Sequence, residues 1–346
     1  MSDEEPIALN LAVPVKKALV LPASITPLAE LTARELAKVN DLILSRTGSE
    51  VALIPEVANH LISSGGKRLR PMLTLAMAML NGHRGDAHLK LAASVEFMHT
   101  ATLLHDDVVD ESDLRRGRKT ARIVWGNQAS VLVGDFLLGQ AFRMMVEAGF
   151  MDALDILSSA ATVIAEGEVM QLATAKNLAT DEKAYLAVTA AKTAELFAAA
   201  CEVGPAIAGR DQAERRACRA FGMGLGQAFQ LIDDALDYGG KSEEIGKNVG
   251  DDFREGKITL PVVIAFERGD PEERKFWRRA MEEGDLHDGD LERAIAILRR
   301  HGAIEATTAR ATRFAEEAHQ ALSIYPEGEM RRALAQAVDF AVERSR

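Results

Sequence analysis

The chain has 346 residues, 47% of them hydrophobic but only 5% aromatic, and a formal net charge of −11. That length permits one large domain or two, with room for a sizeable core in either case. The acidic balance argues against a nucleic-acid binder, and the many Ala, Leu and Glu residues beside only 10 prolines favour an all-helical protein over a sandwich or barrel.

Residues 1–26, marked by Pro6, Pro14 and Pro22, show little periodicity and read as a poorly ordered lead-in. Helical spacing predicts helices over 28–43 and 51–62, the second closed by Gly65-Gly66, and a third opened by Lys67-Arg68-Leu69-Arg70-Pro71 and running to Leu80. A long apolar stretch from His88 to Val109 follows, then a charged loop over 111–120. Further helices are predicted over 129–149, 151–176, 181–208 and 212–238, then a Gly- and charge-rich loop to Gly256. Shorter amphipathic helices complete the chain, broken near Asp270-Pro271, Gly302 and Pro326. No period-2 strand stands out. The His88, Ala129 and Gln212 helices are apolar around most of their circumference, which predicts that they are central and the C-terminal ones peripheral. No linker divides the chain, so 27–346 is expected to be a single helical domain. Cys201 and Cys218 are too few for a disulfide framework, and the first ten residues lack the basic start and apolar core of a secretory signal. With no apolar run of 18 residues or more, the expectation is a soluble, cytoplasmic protein with at most peripheral membrane contact.

Two acidic clusters stand out. Asp106, Asp107 and Asp110 end the His88 helix, and Asp233, Asp234 and Asp237 repeat the spacing at the end of the Gln212 helix. Residues four apart share a helix face, so Asp106 and Asp110 project together. Carboxylates at a helix C-terminus oppose the macrodipole and raise one another's pKa. A single cluster could be a solvated face, but two such ends call for a compensating cation. Oxygen donors without Cys or His suit Mg²⁺. Basic residues lie where phosphates would need them. Lys67 and Arg70 sit at a helix start, Arg115 and Arg116 follow the first cluster, Lys192-Thr193 interrupts an apolar helix, and Lys247 and Lys257 flank the second loop. His99, one to two turns before Asp106, reads either as a satisfied core histidine or as a diphosphate partner.

In GGKRLRP, FMHTATLLHDDVVDESDLRRG, Lys192-Thr193, GQAFQLIDDALD and GKNVGDDFREGKITLP, in that order from Gly65 to Pro261, the chain resembles the trans-prenyl diphosphate synthases. The resemblance implies a single domain of antiparallel helices around a deep central cavity, usually homodimeric. It also implies three Mg²⁺ ions bound through Asp106, Asp110, Asp233 and Asp237 to an allylic diphosphate such as farnesyl or geranyl diphosphate. Asp107 and Asp234 complete the catalytic motifs. Arg115, Lys192 and Lys257 would stabilise the departing diphosphate, while Lys67, Arg70, His99 and Arg116 would hold isopentenyl diphosphate. Thr193, Gln230 and Lys247 are further expected substrate contacts. The released diphosphate would take the proton lost after each addition.

Product length is read from the positions before the first motif. Position 101 lies about 7.5 Å below Asp106 along the helix. Short-chain members of this family floor the cavity with bulky aromatics near there, whereas this chain has Ala101 and Thr102, with Met98 and Ser94 below. The first motif also lacks a two-residue insertion. Both features resemble long-chain members, the octaprenyl and decaprenyl synthases that supply quinone side chains. The other reading of Ala101 is tight helix packing. A terpene cyclase would not need the GGKRLRP cluster, a non-catalytic subunit would not need all six aspartates, and a scaffold bundle would need neither.

Overall fold

A computed structural model describes residues 23–63, 66–115, 117–239 and 250–343. Most of the expected lead-in, together with Gly65, Arg116 and Lys247, lies outside the described residues. Helix α1 (Thr26–Arg46) opens with Pro27 in its first turn, where the missing N–H costs nothing. Just before it, the Ala23 N–H donates to Glu343 at 3.4 Å near the other end of the chain. α2 (Leu53–Ile62), α3 (Leu69–Leu80) and α4 (Ala87–Val109) follow.

The charged loop after α4 departs from expectation. Leu114–Arg115 (β1) and Arg118–Lys119 (β2) form a two-residue antiparallel ribbon, with Leu114 opposite Lys119. Gly117 in the turn has φ +74°, as a tight hairpin requires. So short and exposed a ladder has no apolar alternation to read. Beyond it come α5 (Ala121–Trp125), α6 (Asn127–Ala148) and α7 (Met151–Thr174).

α8 (Glu182–Thr189) passes through a wide π-type turn at Ala190–Ala194 into α9 (Glu195–Ile207), as a single helical run. α9 is the centre of the fold. Every residue in it except Glu202 is buried, and it packs on α3, α7 and α10 (Gln212–Gly239). Phe197 and Cys201 join one apolar core, while Leu196, Ala199, Ala200 and Val203 join the other. Close approach is built in. A Cβ on Gly204 would meet the Ala78 nitrogen at 2.6 Å, and one on Gly222 would meet the Phe197 carbonyl at 2.3 Å.

The remaining helices are α11 (Asp251–Arg254), α12 (Leu260–Arg268), α13 (Pro271–Trp277), α14 (Asp290–Arg300), α15 (Ala303–Ala321) and α16 (Glu329–Glu343). As expected they lie at the periphery, with Glu292, Arg299, Arg313 and Glu317 exposed, but their inner faces form a large part of the first core. α15 lies along α10 through Ala311, Ala315 and Ala318, and Trp277, Leu298, Leu334 and Val338 are fully buried in the first core. Their apolar stripes are narrow and rich in alanine, which lets them pack closely on that one face. α6, expected to be central, is corrected. Its length and composition would suffice to cross a membrane, but one face packs on α4 while Leu132 and Val146 on the other are exposed. An all-round apolar helix need not be covered by its own chain.

Candidate active site

The ends of α4, α8–α9 and α10 surround a cavity of about 1340 Å³ into which both aspartate clusters open. α4 turns His99, Asp106, Val109 and Asp110 toward it, and α10 contributes Gln230, Asp233, Asp234 and Asp237. Lys192 and Lys257 are shared with the first cluster. Lys192 Nζ lies 2.6 Å from Glu168 on α7 and 3.9 Å from Asp106, and Lys257 Nζ lies 2.6 Å from Glu255 and 3.5 Å from Asp110. The wide turn before α9 is what presents Lys192 and Thr193 to this space from a helix otherwise packed shut.

The six aspartates are not equivalent. Asp107 is fully enclosed, is absent from the cavity wall, and its Oδ1 accepts from Arg115 Nε at 2.7 Å, with Nη2 of the same guanidinium paired to that oxygen at 2.7 Å. It was expected beside the reacting groups; one helical residue round from Asp106, it instead fixes Arg115, which does line the cavity. Asp234 accepts from Gln230 Nε2 at 2.8 Å and from the Tyr185 hydroxyl. Asp237, an expected metal ligand, lines the cavity but accepts the backbone N–H groups of Asp251 (3.3 Å) and Asp252 (3.1 Å), and so anchors the start of α11. Asp106, Asp110, Asp233, Asp234 and Asp237 all line the cavity, and Asp107 alone of the six does not.

Burial dominates the electrostatics. Desolvation, with Glu168 and Asp110 nearby, raises the Asp106 carboxyl to about 7 against the pull of Lys192. Desolvation and the Asp252 charge raise Asp234 to about 8 and Asp237 to about 7. Lys257 is half-buried yet raised, because Asp110, Asp252 and Glu255 outweigh its desolvation. Such a site favours an added cation. Among the described residues no three carboxylate, His or Cys groups are gathered closely enough to hold a metal alone. An ion here would complete its shell with water and phosphate oxygen, which is how Mg²⁺ is ordinarily held.

A basic cradle occupies another part of the wall. Arg70 Nη1 lies 3.3 Å from His99 Nε2, and its guanidinium stacks 4.1 Å over Phe197. Desolvation lowers its pKa to about 10, and its buried Nε has no hydrogen-bond partner among the described residues. Lys67 Nζ sits 4.3 Å over the ring of Phe340, from α16. Arg68 between them, at φ +49°, pairs with Glu96 on the same wall.

The residues read for chain length do not line this cavity. Met98 and Ala101 are buried with Leu104 and Leu137 in the second core, Ser94 donates to the Ala141 carbonyl on α6 at 3.1 Å, and half-buried Thr102 donates to its own helix at His99 O. Ala101 permits close helix packing, because it is on the side of α4 away from His99 and Asp106.

Sequence reasoning missed Glu168, Tyr185, Asp252 and Phe340, all but Glu168 on the cavity wall. Asp252 could have been taken from the GDDFREGK motif, and Tyr185 from its two-turn spacing to Lys192. Glu168 and Phe340 carry no local signal.

Residues 51–298 match the profile of the polyprenyl synthetase family. The octaprenyl diphosphate synthase of Escherichia coli is 45% identical over 92% of this chain and 98% of its own length. The crystal structure of a decaprenyl diphosphate synthase from Rhodobacter capsulatus is 53% identical, with a TM-score of 0.90 over 93% of this chain and 100% of that one. A polyprenyl synthase from Caulobacter crescentus, solved with calcium and isoprenyl diphosphate, is 51% identical, also with a TM-score of 0.90, over 93% and 98%. With both aspartate clusters on one cavity and relatives matched along nearly its whole length, the chain belongs to the polyprenyl synthetase family.

Proposed function

We propose that this protein is a long-chain trans-polyprenyl diphosphate synthase, adding isopentenyl diphosphate head-to-tail to an allylic diphosphate up to octaprenyl or decaprenyl length. The observation that carries this reading is one cavity lined both by the two aspartate clusters and by a separate basic cradle. Asp106, Asp110 and Asp233, with Lys192, Lys257 and Arg115, suit a diphosphate bridged by Mg²⁺, three ions being the number expected. Lys67, Arg70 and His99 suit one bound by cations of the protein alone.

Bound Mg²⁺ would supply the charge that lets the allylic diphosphate depart. The protein's part is preorganisation. Asp107 holds the Arg115 fork toward the leaving group, and Lys192 and Lys257 are held at its sides by Glu168 and Glu255. Arg70, backed by Phe197, orients isopentenyl diphosphate from the opposite wall so that its double bond approaches the new cation. Phe197, Phe229 and Val188 keep water away.

The unit is read as residues 27–346, working as a homodimer in a reducing cytoplasm. Leu132 and Val146 on α6, with Val169 and Leu172 on α7, are each 60–66% exposed, an apolar face suited to a second copy. The product suits a quinone side chain. The test is a product assay with Mg²⁺, labelled isopentenyl diphosphate and farnesyl diphosphate. Octaprenyl to decaprenyl products, lost in Asp106→Ala, are expected. Products no longer than geranylgeranyl would overturn the chain-length reading, and no elongation from any allylic primer would overturn the enzyme.

A further inference from the structure

We propose that Tyr185 is a positioning residue for the reaction, the outer end of a hydrogen-bonded relay running through Asp234 and Gln230 to the Thr193 hydroxyl. The inference rests on the synthase reading and adds a residue that lies outside all the motifs. Tyr185, on α8, is only 6% exposed, and its hydroxyl donates to Asp234 Oδ2. Asp234 Oδ1 accepts from Gln230 Nε2 at 2.8 Å, and Gln230 Oε1 accepts from Thr193 Oγ1 at 3.0 Å.

The chemistry gives the relay one direction. Gln230 spends its NH₂ on Asp234 Oδ1, which leaves its carbonyl oxygen, an acceptor only, for Thr193. That carbonyl takes the Thr193 hydroxyl proton, which fixes the rotor of a side chain on the cavity wall next to Lys192. Tyr185 matters because Asp234 has two oxygens to satisfy in a buried place. Without the phenol, Oδ2 is left unpaired, and the carboxylate turns toward any remaining donor and releases Gln230.

A purely structural role for the hydroxyl fits less well, because α8 has other fastenings. Glu182 accepts from Arg310 on α15 at 2.8 Å, and Thr189 donates to Gln227 on α10 at 2.8 Å. Neither bond involves Tyr185, so Tyr185→Phe should leave the helix in place.

The test is a double-mutant cycle on the full chain: wild type, Y185F, T193V and Y185F/T193V. Each is assayed for elongation of farnesyl diphosphate and, by calorimetry, for the Kd of inorganic diphosphate with Mg²⁺. Y185F is expected to lower kcat about tenfold while the KM for isopentenyl diphosphate and the melting temperature hold. The double variant should be no worse than T193V in either readout, since both substitutions cut one chain. Losses that multiply would overturn the relay, as would Y185F with wild-type kcat, or Y185F whose loss follows a lowered melting temperature. A wild type that binds diphosphate without elongating would overturn the synthase reading alone, and the Kd cycle would still decide the relay.

Discussion

Replacing Asp107 by Asn separates two roles that neighbouring aspartates could be thought to share. Its carboxylate holds Arg115 through two 2.7 Å contacts, and burial pushes its pKa up against the pull of that guanidinium. A charge-assisted pair of this kind contributes about 1.5–3 kcal/mol. Arg115 is 26% exposed, and Asn still offers one acceptor. Water and the amide therefore recover part of the loss, leaving a cost of about 1–2 kcal/mol, or a few degrees in melting temperature. The larger effect is kinetic. A loosened Arg115 no longer points at the leaving group, and kcat falls about 10–100-fold, equivalent to about 1.4–2.8 kcal/mol. The Mg²⁺ concentration giving half-maximal rate should stay within about twofold, because Asp107 is not on the cavity wall. Asp106→Asn is the comparison, and its Mg²⁺ curve should shift about tenfold or more. The assay is initial rate against Mg²⁺ at saturating substrates. A D107N curve displaced as far as that of D106N would make Asp107 a metal ligand and refute the reasoning.

Three further outcomes follow from the same geometry. Ala101→Tyr should overpack the core shared by α4 and α6 and cost about 1–3 kcal/mol, seen as a lower melting temperature; a variant as stable as wild type that makes shorter products would place position 101 on the product channel after all. In the metal-free protein, Asp106, Asp234 and Asp237 hold protons up to about 7, 8 and 7, whereas the unfolded chain releases them near about 3.9. The native state thus binds more protons between those values, so these groups make the apoprotein less stable as pH rises from 5 to 8. Adding Mg²⁺ with diphosphate should accordingly raise the melting temperature more at pH 8 than at pH 6, and an equal rise at both would refute this. Cys201 and Cys218 are buried, burial raises both thiols, and Cys218 reaches about 11. Neither should react with a thiol reagent at pH 8 until the protein unfolds, and rapid native labelling would show that the α9–α10 contact opens.

The local physics was legible in the residues themselves. Helical periodicity and Gly/Pro punctuation placed the helices to within a few residues, because those signals act over one or two turns. Asp106, Asp110, Asp233, Lys67 and Arg70 were legible because like charges at a helix end, or cations at a helix start, need a partner wherever the chain goes. Only tertiary structure decided which aspartate does what. Asp107 and Asp110 look alike in sequence, and the arrival of Arg115 on a two-residue ribbon turns one into an anchor while the other faces Lys257. Tyr185, Glu168 and Phe340 enter the account only through neighbours 49, 24 and 273 positions away in the chain. Which helix lies beside α10, and which of the two readings of Ala101 applies, were equally out of reach of sequence. A side chain's own periodicity says which face it is on, but the identity of what covers that face depends on contacts made by distant parts of the chain.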